Sequence, residues 1–209
     1  MPPLETVIPI FLILLFSLSF HEAAHAWTAD RLGDPTARQL GRVTMNPLAH
    51  IDWIGTVLFP LVAMFSGLPL IGWAKPVPVN FHNLQAPRRD FAIIAAAGPA
   101  SNVLLAVVFA AALALTRDGA LGESTIPLLI GRALLLNAML AVFNMLPVPP
   151  LDGGNVLGGL LPEQLARLID MMRPLGFLVL YALMLTGILG DYVFPIADRF
   201  AYFLLSIFV

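Results

Sequence analysis

Residues 6–28 form an apolar run long enough to cross a bilayer, and near its end stands the sequence HEAAH. Crossing the hydrocarbon core takes about 20 apolar residues in a helix. Lipid offers no hydrogen bonds, so a spanning segment must satisfy its own backbone, as a helix or in a closed barrel. Further apolar runs lie at 51–73, 91–116, 127–146, 174–190 and 192–209. Only 11% of the 209 residues are charged and mean hydropathy is +0.87. Soluble domains carry about 25% charge, so this chain cannot cover a water-facing globule. The reading is an α-helical polytopic membrane protein of five to six transmembrane segments, with residues 1–209 as one domain.

Segment 51–73 differs from the others, because Gly55, Pro60, Gly67, Pro69 and Gly72 interrupt it. Such a segment suits a re-entrant loop. The stretches 38–48 and 77–81 read as short strands or a β-hairpin at the membrane surface, since PVPVNF alternates and its prolines fit a sheet edge. Polar connections are expected at 29–50, 74–90, 117–126 and 162–173. The N-terminus lacks a basic region and a nearby cleavage site, which predicts a retained helix rather than a signal peptide. A net charge of -2 with no basic run gives no sign of a nucleic-acid partner. With no cysteine, any metal must be held by His, Asp or Glu.

On a helix, His21 and His25 lie one above the other on the same face, so their imidazoles can hold one zinc ion. Glu22, one step round, can reach an attacking water. Two histidines buried at a helix interface could give the same pattern. Ionisable groups at membrane depth are costly, however, and by default mark a functional site. Zinc needs a third protein ligand and, if catalytic, an open fourth position. Asp152 is the strongest candidate, the one acidic residue at the end of an apolar segment, in NMLPVPPLDGG. Pro147, Pro149 and Pro150 cannot continue a helix there, and Asp152 could also start a new one, a role compatible with metal binding. His50 and His82 are weaker candidates because they sit in polar connections.

HEAAH within a membrane helix, followed by NMLPVPPLDGG, resembles the site-2 protease family of intramembrane zinc metalloproteases. The second motif there has the form N-x-x-P-x-P-x-L-D-G, filled here by Asn144, Pro147, Pro149, Leu151, Asp152 and Gly153. AAAGPASN at 95–102 matches a G-P-x-x-N segment of the intervening helix. The resemblance implies His21, His25 and Asp152 as zinc ligands and Glu22 as catalytic base. It also implies peptide-bond hydrolysis in transmembrane protein substrates, in a minimal form without PDZ or CBS modules. Asn144 is then the candidate oxyanion donor, and Asn102 is expected to bond between helices where Gly98 allows close packing.

One zinc touched by both motifs requires helices 6–28 and 127–146 to run the same way, with 91–116 as the return. Segment 51–73 then cannot be a full span. Arg31, Arg38, Arg42, Lys75, Arg88, Arg89, Arg167 and Arg173 fall on one side, opposite Arg117, which makes that side cytoplasmic, in a prokaryotic cell membrane. A zinc or proton-coupled transporter and an inactive membrane scaffold are the alternatives. Glu22 between the histidines favours hydrolysis, since transport needs no general base there.

Overall fold

The computed structural model describes residues 4–59, 62, 73–116 and 125–209. The first helix, α1 (Leu4–Arg31), carries the HEAAH sequence in its C-terminal half. Among the described residues between Arg31 and Pro87, helical turns stand at Thr36–Gln39, Pro47–Ala49, Trp53–Leu58 and Phe81–Asn83. Then come α2 (Pro87–Ala114), α3 (Ile126–Asn144) and α4 (Asp152–Leu160). The chain ends in α5 (Glu163–Met172), α6 (Gly176–Leu185) and α7 (Phe194–Ser206).

Among the described residues four helical stretches are long and apolar enough to cross a membrane: Ile8–Arg31, Pro87–Ala114, Ile126–Asn144 and Glu163–Leu185. This is fewer than the five to six expected. The region 162–173 is not a polar connection but the helix α5, which leads through a turn at Arg173–Leu175 into α6. In the expected span 192–209 the helix α7 has 13 residues. It continues directly from a π-helical turn at Leu189–Val193, and Asp191, Asp198 and Arg199 interrupt the apolar character of that stretch. Large apolar side chains such as Leu12, Leu115 and Leu178 are exposed on the helices, as a lipid-facing surface requires.

Helix α2 is the centre of the bundle and packs against α1, α3, α4 and α7. Proline opens it at Pro87, where the missing N–H costs nothing. One turn in, the Asp90 carboxylate accepts from the Ala86 N–H at 2.8 Å and caps the helix start. Its inner face is built of small residues. Ala106 and Ala110 pack with Leu134 and Ala138 of α3 and with Ala201 and Leu204 of α7. Small side chains let helix backbones approach closely, the main source of association where lipid is as apolar as the core.

Side-chain bonds fix the helix directions. His21 reaches Asn102 and His25 reaches Ile94, so α1 and α2 are antiparallel. Asn102 reaches Asn137 while Gly131 sits near Leu113, so α2 and α3 are antiparallel too. Helices α1 and α3 therefore run the same way, as the two motifs demanded.

Among the described residues no strand forms. Within 38–48, Gly41 N–H bonds the Arg38 carbonyl and Arg42 N–H bonds that of Ala37, which closes helical turns instead of extending the chain. Within 77–81, residues 77–80 form no regular structure and Phe81 starts the turn Phe81–Asn83. Pro76 and Pro78 remove two donors, and the Asn80 N–H is taken at 2.7 Å by the Asp34 carboxylate. That carboxylate, with no exposed surface, also accepts from Thr36 N–H at 3.1 Å and Asn83 Nδ2 at 2.8 Å. It ties the turn after α1 to the approach to α2. Burial alone would raise the Asp34 pKa, but the bonds from Thr36, Asn83 and Asn80 outweigh it and hold the carboxyl below its ordinary value.

Of segment 51–73, residues 60–61 and 63–72 lie outside the described residues. The two ends that are described meet. Trp73 N–H bonds the Gly55 carbonyl at 3.2 Å, Thr56 Oγ1 donates to the Trp73 carbonyl at 2.8 Å, and Lys75 N–H bonds that of His50 at 2.8 Å.

Candidate metal centre

Three side chains from two helices converge beneath the bundle's small-residue core. His21 Nε2 lies 3.1 Å from Asp152 Oδ2, His25 Nε2 lies 3.4 Å from the same oxygen, and the two Nε2 atoms are 3.0 Å apart. His21 and His25 are 4% and 8% exposed. Their pairing is local, since i and i+4 face the same way on a helix.

Asp152 arrives by a different route. Helix α3 ends at Asn144 because Pro147, Pro149 and Pro150 cannot extend it. The chain turns sharply, and α4 starts at Asp152 itself. Glycine follows twice for a steric reason. A Cβ on Gly153 would run into the carbonyl oxygens of Met145 and Leu146, and one on Gly154 would lie 2.7 Å from Pro149 N. Only glycine lets the first turn of α4 rest on the turn that ends α3. Asp152 is thus both a helix start and a member of the cluster.

The outer nitrogens of both histidines are occupied. His25 Nδ1–H donates to the Ile94 carbonyl at 2.7 Å, and His21 Nδ1–H to Asn102 Oδ1 at 2.6 Å. A backbone carbonyl only accepts, so the proton of His25 is on Nδ1, and the same tautomer follows for His21 from its amide partner. Both Nε2 atoms then present bare lone pairs to one another and to a carboxylate oxygen. Asp152 Oδ2 is itself buried without a hydrogen-bond donor. Three electron-pair donors this close repel unless a proton or a metal cation sits between them. At zinc–ligand bonds of 2.0–2.1 Å, tetrahedral ligands stand about 3.3 Å apart, close to the three separations observed. The residues fit zinc, with two imidazoles and one carboxylate as protein ligands and a fourth position free.

Glu22 is 9% exposed and one residue from His21, so it borders this cluster on α1. Arg42 is buried near it. Its Nη2 donates to the Lys75 carbonyl and its Nε has no partner. Burial lowers the affinity of that guanidinium for its proton, and the Glu22 charge works in the opposite sense.

The other sequence candidates lie elsewhere. Asn144 Nδ2 donates at 3.0 Å to the Leu140 carbonyl of its own helix. His50 Nε2 donates at 2.8 Å to the Thr44 carbonyl, and His82 stands on an exposed turn. Neither histidine joins the metal-competent group of His21, His25 and Asp152. Asn102 does bond between helices as expected, and its partner is a would-be ligand. Sequence reasoning passed over Asn137 and Ser17, which continue that bond network. An amide inside LLLNAML, at membrane depth, was the available signal.

Comparison with known proteins agrees with this chemistry. A family model described as Peptidase family M50 matches residues 9–125. A Bacillus subtilis protein named "Putative zinc metalloprotease YwhC" is 35% identical over 91% of this chain and 86% of its own length. One from Mycolicibacterium smegmatis, "Putative zinc metalloprotease Rip2", is 33% identical over 89% of this chain and 70% of its own. No solved structure gives a significant match. The chain therefore belongs to peptidase family M50, the site-2 proteases, and is an integral-membrane zinc metalloprotease.

Proposed function

We propose that His21, His25 and Asp152 hold the catalytic zinc, and that Glu22 is the general base for hydrolysis of peptide bonds in transmembrane protein substrates. The observation that carries this reading is the convergence of two bare imidazole nitrogens and an unpartnered carboxylate oxygen on one point. Zinc bound there supplies two effects, lowering the pKa of water towards ~7 and polarising the scissile carbonyl. Glu22 takes the proton of the attacking water and passes it to the leaving amine, a transfer typically worth 10²–10⁴-fold. Its position on α1 three residues before His25 keeps it on the same side of the helix. Asn144 can serve the oxyanion only by leaving its bond to Leu140.

The joined ends of segment 51–73 support a re-entrant loop: a chain that returns to bond its own start emerges on the side it entered. Irregular backbone at such depth is tolerated where protein or a water-filled cavity surrounds it. Arg38 pairs with Asp30 and Arg42 with the Lys75 carbonyl, while Arg88 donates to the Gly158 and Leu161 carbonyls. These cations share one end of the bundle, at the close of α1 and α4 and the start of α2. Positive charge concentrates on cytoplasmic faces, so the site opens towards the cytoplasm.

The deciding experiment is cleavage of a transmembrane substrate by the detergent-purified protein. Cleavage should stop with a zinc chelator and with Glu22→Gln. Chelator-resistant cleavage would exclude this reading.

A further inference from the structure

Behind His21 a chain of side-chain hydrogen bonds crosses three helices. His21 Nδ1 meets Asn102 Oδ1 of α2 at 2.6 Å, and Asn102 Nδ2 meets Asn137 Oδ1 of α3 at 3.0 Å. Asn137 Nδ2 then donates to Ser17 Oγ of α1 at 3.0 Å and to the Ala133 carbonyl at 2.9 Å. Ser17, Asn102 and Asn137 have no exposed surface, so water cannot substitute for any member.

We infer that Asn137 is a positioning residue which, through Asn102, sets the tautomer of His21 and so aims its Nε2 lone pair at the metal. The inference rests on the reading of His21 as a ligand. Its logic starts from an atom that can only accept. The Ala133 carbonyl requires the nitrogen of the Asn137 amide, which turns Oδ1 of Asn137 towards Asn102. Asn102 must answer with its nitrogen, and so presents its own oxygen to His21. An acceptor at that point requires the His21 proton on Nδ1. Reverse either amide and a donor would face Nδ1, moving the proton to Nε2, where a metal ligand cannot carry one.

His25 needs no such relay, because its partner is the Ile94 backbone carbonyl, which cannot flip. The two ligands are therefore oriented by different means. One is held by main chain within α2, the other by an amide relay that exists only when α1, α2 and α3 are packed. Residues that orient a metal-binding histidine typically contribute 10–100-fold to metal affinity.

A purely structural role for Asn137, as polar glue between helices, predicts a different response to rescue. A carboxylate at position 102 accepts with either oxygen and needs nothing to orient it. The full chain in detergent should be loaded with zinc or cobalt(II) and challenged with a chelator, alongside the d–d absorption of the cobalt form. Asn137→Leu should lower metal retention about 10-fold, and adding Asn102→Asp to that variant should restore it. Should Asn137→Leu not fold, Asn137→Ala with and without Asn102→Asp replaces it. Retention equal to the parent in the single variant would overturn the relay, as would loss that Asn102→Asp does not repair. His21→Ala is the control for the underlying reading: metal kept by His21→Ala removes that residue as a ligand, independently of Asn137.

Discussion

Gly98 of α2 lies directly against the His25 imidazole, with no room for a methyl group between them. A Cβ at that position would run into His25 Nε2 and Cε1 and lie 2.6 Å from His21 Cε1. The glycine is the wall against which both histidine rings rest. Gly98→Ala should therefore displace them by a large fraction of an ångström. A displacement near 1 Å can cost about 10² in rate, and zinc content should fall with it. Metal analysis and cleavage of the same preparation check this; full zinc occupancy and activity in Gly98→Ala would mean the rings have somewhere else to go.

Glu22→Gln separates binding from chemistry. The substitution keeps shape and burial but removes the proposed base, so zinc retention should match the parent while cleavage drops by at least about 10². Activity within tenfold of the parent would remove Glu22 from the proton-transfer role.

Asp34 gives the protein a pH-dependent anchor far from the metal. Its carboxyl is held below the ordinary value of 3.8 in the folded state. A lowered folded pKa means stabilisation that is present above that ordinary value and fades as pH falls from about 4 through the folded pKa. Thermal unfolding in detergent should show this acid loss in the parent. Asp34→Asn should be less stable at neutral pH, by on the order of 2 kcal/mol, with a flatter slope below pH 4. An unchanged slope would assign the acid sensitivity to other groups.

Single cysteines introduced into this cysteine-free chain report topology directly. Probes at Arg38 and Arg88 should label from the same, cytoplasmic side, and one at Thr125, where α3 begins, from the other. If Arg38 and Arg88 label from opposite faces, segment 51–73 is a full span and the re-entrant reading fails.

The pairing of His21 with His25 was readable in the sequence because it is a consequence of helical pitch, decided within five residues. The break before Asp152 was readable for a similar reason: prolines at 147, 149 and 150 forbid a continued helix wherever the chain lies. Membrane residence followed from the shortage of charge alone. What required tertiary structure were the partners distant in sequence. Nothing local to Asn137 states that its amide meets Ser17, 120 residues earlier, or that Asn102 stands between it and His21. The stretches 38–48 and 77–81 failed as strands for the same reason. An alternating apolar pattern shows that backbone can extend, whereas pairing depends on what lies beside it, and beside Asn80 lies the Asp34 carboxylate. Local periodicity determined the helices and one face of the site. Which buried polar groups find each other was decided by packing, because a desolvated donor must bond whatever the folded chain places within reach.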